Sequence, residues 1–323
     1  MTKKIKEKIA VLLGGPSSER EISIKSGTAV HEALLSLGLD VVCIDVSDNP
    51  VEQIAREKCE IAFIALHGRF GEDGTIQAML DEENIAYTGS GPEASRLAMD
   101  KLASRRIFQN AGLPVPEYVT VNKDVYRKDI SVNFSLPLVV KPNREGSSIG
   151  MSVVEDIKNL PKAINEAFSY DDDIIIEKFI DGEDITVGIL DDKPLPVVHI
   201  KPEQGVYDFT AKYTEGMSEY AVPAALEKDV INAAQNLGLT AHSLLGCRCF
   251  SRVDMRLGKD NKIRILEVNT IPGLTSTSLL PKAAKAVGID FAHMCLKIIE
   301  SAKNRKKREQ ATFLTDANLT TKK

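Results

Sequence analysis

The sequence predicts an α/β protein whose first domain is built on a parallel sheet. Three observations predict it. Short apolar runs at 9–13, 41–46 and 61–66 are separated by stretches of helical length, the strand-helix-strand order that sets strands side by side in parallel. At 323 residues the chain is long enough for two or three domains. Its 43% hydrophobic and 27% charged residues are the proportions of a soluble globular protein.

The same composition narrows the function classes. A net charge of -5 gives no general reason to expect a nucleic-acid partner. Five cysteines, at 43, 59, 247, 249 and 295, are odd in number and lack the paired spacing of a zinc site, so they read as reduced, buried small hydrophobes. The opening MTKKIKEKIAVLLGG is basic, but its apolar run covers only 9–13, too short for a signal-peptide core. No apolar run has membrane-spanning length. The expected setting is the cytoplasm, with no membrane partner.

In chain order, the run 9–13 reads as a buried strand, 14–20 as a loop, 22–37 as an amphipathic helix and 41–46 as the next strand. The loop GGPSSERE is not the Gly-x-Gly-x-x-Gly fingerprint, which argues against a nicotinamide cofactor. Glu19 sits at the carboxyl end of the first strand, where open α/β sheets bind ligands and an acid can receive an ammonium group. Charge complementarity at a helix start explains the same residue. The second unit repeats the pattern, with a strand at 61–66, the loop HGRFGEDG bearing His67, and a helix at 75–83. His67 is a site-lining candidate, and equally a structural histidine. A helix at 102–110 followed by AGLPVPEY marks a domain boundary near Lys101.

The strand LPLVVKP carries Lys141 and leads into NREGSSIGM, a loop rich in backbone donors and hydroxyls that can fold over phosphates above a fixed lysine charge. A hairpin needing glycine for its turn fits those residues too. IIIEKFI then reads as a buried strand and DGED as a polar turn that could offer an acid to a ribose. Residues 201–222 are long for a connection and lack apolar periodicity, which suits a lid, with Lys212 and Tyr213 as groups able to close on a ligand, or a solvated surface loop. A helix spans 227–245, and the tail from 301 with its NRKKRE run reads as a solvated helix end or disorder.

The most informative stretch is 247–278. Alternation on both sides of GKDNK gives a hairpin in which Arg252 and Asp254 share one face, as do Glu267 and Asn269. With Asp260 and Asn261 as a two-residue turn, Asp254 stands opposite Glu267 at roughly 5 Å between backbones. Repulsion between two such carboxylates is on the order of 3 kcal/mol at an effective dielectric near 20, so a bound cation resolves it. Two carboxylates and an Asn amide are hard ligands that suit magnesium with phosphate oxygens completing the shell. An exposed ladder balanced by Arg252, Arg256 and Arg264 satisfies the pattern as well. After Asn269 the segment TIPGLTSTS is irregular and leads to a helix at about Leu279 with Ser278 at its N-cap, a setting of free backbone donors suited to an oxyanion or a carboxylate.

The motifs LLGGPSSERE, ALHGRFGEDG, YTGSG, MDK, VVKPNREGSSIGM, IIEKFIDGED, YDFTAKY, RVDM and EVNTIPGLTSTSL together resemble, in order and over residues from about 5 to 302, the bacterial D-alanine:D-alanine ligases of the ATP-grasp superfamily. The resemblance implies three α/β domains: an N-terminal Rossmann-like substrate domain at 1–100, a central ATP-grasp subdomain at 101–184 and a C-terminal ATP-grasp subdomain at 185–302 with the metal site. Residues 303–323 have no counterpart in the resemblance, and their composition suits a disordered tail.

The resemblance also implies ATP as co-substrate, two Mg²⁺ ions with Mn²⁺ able to substitute, D-alanine as substrate, and a cytoplasmic homodimer serving peptidoglycan precursor synthesis. It assigns Asp254, Glu267 and Asn269 to the metal, Lys101, Lys141 and Lys212 to ATP phosphates, and Glu177, Ile180 and Asp184 to adenine and ribose. Glu19, with His67 nearby, would take the ammonium of the first D-alanine, while Ser278 and Leu279 would hold the carboxylate of the second. Glu19, Ser147 and Tyr213 would form a hydrogen-bonded set closing the lid, and Arg252 and the Gly273 amide would stabilise the oxyanion. Three departures from the family pattern stand out: Asp184 where Glu is frequent, beside Glu183; Phe179 where some members have Trp; and Thr277 where some have His. The alternatives are a ligase that joins D-alanine to D-lactate or another small acceptor, and a catalytically silent ATP-binding module. Tyr213 resembles the dipeptide formers, and the complete set Lys141, Arg252, Asp254, Glu267 and Asn269 argues against a silent binder.

Overall fold

A computed structural model describes residues 5–46, 49–127, 130, 132–203, 214 and 216–320, with side chains described up to 306. Strands β1 (Ile9–Leu13), β2 (Val41–Asp45), β3 (Ile61–Ile64) and β4 (Ala86–Tyr87) form a parallel sheet in the order β2-β1-β3-β4. Every residue of β1 and β3 is buried, as a parallel sheet covered on both faces requires. Helices α1 (Arg20–Ser36), α2 (Pro50–Arg56) and α3 (Thr75–Glu82) connect the strands, and α4 (Pro92–Met99) and α5 (Lys101–Asn110) lead away from the sheet. Asp100 separates the last two with an extended backbone, and its carboxylate accepts from Ala103 N at 2.8 Å as the N-cap of α5. That cap puts Lys101 in the first turn of the helix.

The second sheet is antiparallel, ordered β5-β8-β6-β7 from β5 (Tyr118–Asn122), β6 (Leu138–Pro142), β7 (Ser152–Val154) and β8 (Asp173–Lys178), with α6 (Leu160–Ala167) against it. The third contains β9 (Gly182–Leu190), β10 (Lys193–Pro194), β11 (Val198–Pro202), β12 (Ser218–Ala221), β13 (Phe250–Gly258) and β14 (Ile263–Asn269). Its order is β12-β11-β9-β13-β14, with β10 on β9, and α7 (Lys228–Leu244) packs on it. Helices α8 (Leu279–Ala286) and α9 (Phe291–Thr320) end the chain. The two antiparallel sheets have separate apolar cores. The core of the parallel sheet, by contrast, is completed by Phe250, Leu279, Met294 and Ile298, so the two ends of the chain fold into one apolar cluster.

Three sequence expectations change here. The stretch 201–222 is closed at its base by a ladder in which Ile200 faces Tyr220 and Pro202 faces Ser218; residues 204–213 and 215 lie outside the described residues. The chain is helical to Thr320 rather than disordered from 303, because Lys303 pairs with Glu7 and Arg305 bonds the Tyr87 and Gly89 carbonyls, anchoring the helix to the first sheet. The hairpin turn has three residues rather than two, spanning 259–261 between Gly258 and Lys262, with Asn261 in the left-handed region at φ 59. This longer turn shifts the ladder by one, pairing Leu257 with Ile263, and a bulge after Asp254 shifts it back. The two irregularities cancel, and Asp254 does face Glu267.

Candidate active site

The second and third sheets enclose a cleft of about 920 Å³, open to solvent, whose walls include Lys101, Lys141, Glu177, Ile180, Asp184, Asp254 and Glu267. Its floor is a chain of buried charges. Glu177 on β8 accepts from Arg105 of α5 and pairs with Lys141 Nζ at 2.9 Å. Burial raises the Glu177 carboxyl, but the Arg105 and Lys141 charges outweigh it and hold the group below the usual carboxylate range. Burial pulls the Lys141 ammonium down, with Glu177 opposing. At the other wall Arg256 holds both Asp184 oxygens at 3.0 and 2.9 Å and stacks 4.9 Å over the Phe179 ring. Asp184 faces the cleft, while Glu183 turns away to His199 at 3.3 Å, as the period of a strand dictates.

A second cavity, about 1560 Å³ with the solvent at its open mouth, lies between the parallel sheet and the end of β14, lined by Glu19, His67, Glu72, Ser147, Arg252, Asn269, Gly273, Ser278 and Leu279 among others. Glu19 begins α1, but its side chain makes no helix-capping bond. It accepts instead from the Ser147 hydroxyl across the cavity. Gly68 makes room for it: at φ +71 this residue has the left-handed backbone that glycine tolerates, and a Cβ there would stand 2.7 Å from Glu19 Oε2. Ser147 and Ser148 themselves have φ of 50 and 60, a turn that aims the Ser147 hydroxyl at the acid. Ser278 stands at the N-cap of α8, yet its side chain does not cap; its hydroxyl accepts from Thr275 N at 3.1 Å and bonds Thr275 Oγ1 at 2.8 Å. Gly273 lies beside that hydroxyl.

The hairpin acids stand where the two cavities meet, since Asp254 and Glu267 line the first and Arg252 and Asn269 the second. Asp254 accepts from Arg252 Nε at 2.8 Å and Nη2 at 2.7 Å, from Thr186 Oγ1 at 2.6 Å and from Asn269 Nδ2 at 3.0 Å. Lys101 Nζ lies 3.4 Å from Glu267 Oε2. The carboxylate repulsion read from sequence is therefore already answered by two protein cations. Arg256 and Arg264 take no part, because they pair with Asp184 and Asp260. Among the described residues no three His, Cys, Asp or Glu side chains gather as a metal cluster. A cation here would have Asp254, Glu267 and the Asn269 carbonyl oxygen, the end of the amide not donated to Asp254. That set of hard oxygens on two adjacent strands fits a divalent ion sharing phosphate oxygens.

His67 is 5% exposed, and both ring nitrogens are engaged by protein, Nδ1 with the Ile271 carbonyl at 3.0 Å and Nε2 with Ser26 Oγ at 2.9 Å. A carbonyl only accepts, so Nδ1 carries the proton and Nε2 accepts from Ser26. Burial pushes the imidazole down to about 4 and leaves it neutral at neutral pH. It ties the loop after β3 to the loop after β14. Glu72, which sequence reasoning missed, accepts from Gly68 N at 2.7 Å. Burial and the neighbouring Glu19 carboxylate push it up to about 8. Arg105 and Arg256 were missed too, for a common reason: each acts through an acid distant in sequence, Glu177 and Asp184, and only the fold joins them. Lys212 and Tyr213 lie outside the described residues.

Two family models match the chain, "D-ala D-ala ligase N-terminus" over residues 46–90 and "D-ala D-ala ligase C-terminus" over residues 107–300. The chain is 46% identical over 296 residues to a D-alanine–D-alanine ligase of Geotalea uraniireducens, covering 92% of this chain and 96% of that protein. It is 47% identical over 296 residues to one of Pelobacter propionicus, covering 91% and 96%. Among solved structures it resembles the D-alanine–D-alanine ligase of Bacillus anthracis complexed with ATP, at TM-score 0.82 and 32% identity over 94% of this chain and 99% of that one. The VanG D-Ala:D-Ser ligase of Enterococcus faecalis is similar at TM-score 0.79 and 30% identity, covering 92% and 100%.

Proposed function

The chain belongs to the D-alanine–D-alanine ligase family, and from that premise we propose that it joins two D-alanines into D-alanyl-D-alanine at the expense of ATP, for peptidoglycan precursor synthesis. The observation that carries the mechanism is the meeting of two cavities at Asp254, Glu267 and Asn269, one lined with lysines and the other with Glu19 and Ser278. A nucleotide in the first and an amino acid in the second bring a terminal phosphate and a carboxylate together there.

The first D-alanine places its ammonium at Glu19, which Ser147 holds in orientation. Glu72, its carboxyl raised by burial and by the Glu19 carboxylate, lines the same end of the cavity. Lys101, Lys141, Glu177, Ile180 and Asp184 line the first cavity; the lysines would meet the phosphates, together with Lys212, and the other three the adenine and ribose. Asp254, Glu267 and Asn269 would hold Mg²⁺, as a pair of ions that Mn²⁺ can replace. Bound there, the metal neutralises charge on phosphate oxygens.

The D-alanine carboxylate oxygen attacks the γ-phosphorus, ADP leaves, and an acyl phosphate forms. The second D-alanine, its carboxylate held at Ser278 and Leu279, loses an ammonium proton and attacks the acyl carbon through nitrogen. Phosphate then leaves with the carbon–oxygen bond electrons. Arg252 and the Gly273 N–H face the oxyanion of the tetrahedral state, and losing one such donor costs about 10² to 10³ in rate. Closure by the segment carrying Tyr213 keeps water from the acyl phosphate. The reaction belongs in the cytoplasm, with the enzyme as a homodimer; no helix among the described residues is long and apolar enough to cross a membrane.

The test is phosphate release from ATP with D-alanine, with L-alanine, and with D-alanine plus D-lactate, each product identified by mass. Release with D-alanine alone and a product of D-alanyl-D-alanine mass is expected. A depsipeptide as the main product at neutral pH, or no release with D-alanine, overturns the reading.

A further inference from the structure

The glycine-rich loop at 145–150 belongs to the central sheet, and the loop at 67–74 belongs to the parallel sheet. Ser147 of the first reaches Glu19 in the loop after β1, and the 145–150 and 67–74 loops are joined to each other by Arg69, whose Nη2 donates to Glu145 Oε1 at 2.7 Å and to the Tyr170 carbonyl at 3.0 Å. The first acceptor lies in the glycine-rich loop and the second belongs to a residue whose ring packs on it. Glu145 opens it. The Tyr170 ring lies against Gly150, which closes it: a Cβ on Gly150 would stand 2.5 Å from Tyr170 Cδ2, and its φ of +67 suits glycine.

Glu145 is also a relay. Its carbonyl accepts from Lys101 Nζ at 2.6 Å, and the same ammonium lies 3.4 Å from Glu267 Oε2. Arg69, three residues before Glu72, therefore holds Glu145 by its carboxylate, while Lys101 holds the same residue by its backbone carbonyl and faces the hairpin acid Glu267. The Glu145 side chain is 13% exposed and the Arg69 side chain 59%. An ion pair with one partner this exposed contributes little to global stability, so its effect is local to the loops it joins.

We propose that Arg69 is a positioning residue that couples the D-alanine cavity to the nucleotide cavity by clamping the glycine-rich loop at both ends, at Glu145 and, through Tyr170, at Gly150. This rests on the reading of the two cavities as D-alanine and ATP sites. Nucleotide that settles the loop thereby settles the 67–74 loop, and D-alanine bound against that loop returns the same coupling free energy to the nucleotide, as linkage requires.

The experiment measures D-alanine affinity by calorimetry on the full chain, without and with the β,γ-imido analogue of ATP and Mg²⁺. It compares the unsubstituted chain with Arg69→Met, Arg69→Lys, Glu145→Gln and the Arg69→Met/Glu145→Gln double variant. The expected coupling in the unsubstituted chain is about fivefold or more. It falls towards one in Arg69→Met with the melting temperature and the analogue's affinity for the D-alanine-free protein kept. Arg69→Lys recovers part of it, and the double variant loses no more than the worse single, since the two groups act through each other. A structural role alone would move melting temperature and leave the coupling intact. Ligands that bind the unsubstituted chain without coupling, or coupling that survives in Arg69→Met, overturn the proposal. A chain that binds neither D-alanine nor the analogue overturns the ligase reading and the proposal with it.

Discussion

Asp254 accepts from Arg252, Thr186 and Asn269, and removing its charge separates two roles. In Asp254→Asn the Arg252 pair weakens while side-chain volume is kept, and Glu267→Gln does the same to the Lys101 contact. Both variants are expected to fold and to lose about 100-fold or more in turnover at ordinary Mg²⁺, as for groups aimed at developing charge. Full turnover with unchanged metal dependence would contradict the assignment. His67 gives a pH dependence with a definite sign. Its folded value of about 4 lies below the 6.5 of an ordinary imidazole, so between these the unfolded chain binds a proton that the folded chain excludes. Stability is fully present above the upper value and declines as pH falls through the window, by about 2 kcal/mol at pH 5. Urea unfolding at pH 7 and pH 5 should show a smaller loss in His67→Gln than in the unsubstituted chain. Equal losses would mean that His67 is charged in the folded state.

The β13/β14 hairpin shows how an element can reach its expected register by an unexpected route. Alternation identifies which residues share a face, and both face assignments of the hairpin acids hold. The turn length was not legible, because Asp-Asn suits a two-residue and a three-residue turn alike and only the position of the left-handed residue separates them. Without the bulge after Asp254, that residue would stand opposite Leu266 and Glu267 would point to the other face. Asn261 at φ 59 is the hinge of this arrangement. Asn261→Gly should keep both stability and activity, whereas Asn261→Val should cost about 1 to 2 kcal/mol, the penalty of a β-branched side chain in left-handed backbone. Denaturant midpoints check the first number, and identical midpoints for the two variants would contradict it.

At the scale of the molecule the chain closes on itself. Arg305 stacks 4.3 Å over the Tyr87 ring and donates to the Tyr87 and Gly89 carbonyls at 3.0 Å each, so the basic run after 301 anchors the last helix to the first sheet. Arg305→Ala is expected to lower stability by about 2 kcal/mol, from a desolvated cation-π contact and charged hydrogen bonds, with a matching drop in melting temperature. An unchanged melting temperature would contradict the anchor. By itself the sequence determined the strand-helix order of the parallel first sheet, which residues share a face of the 247–278 hairpin and, through ordered motifs, the family. Periodicity and local spacing carry the first two, and motifs spread in order over most of the chain carry the third. Only the tertiary structure decided that Glu177 is held by Arg105 and Lys141, that Asp184 rather than Glu183 faces the cleft, that Ser147 reaches Glu19, that Glu72 is raised beside Glu19 and that the tail is a helix. Each of those facts depends on two groups far apart in the chain meeting at bonding distance away from water, where burial and a neighbouring charge set protonation and pairing, and no local pattern records such a meeting.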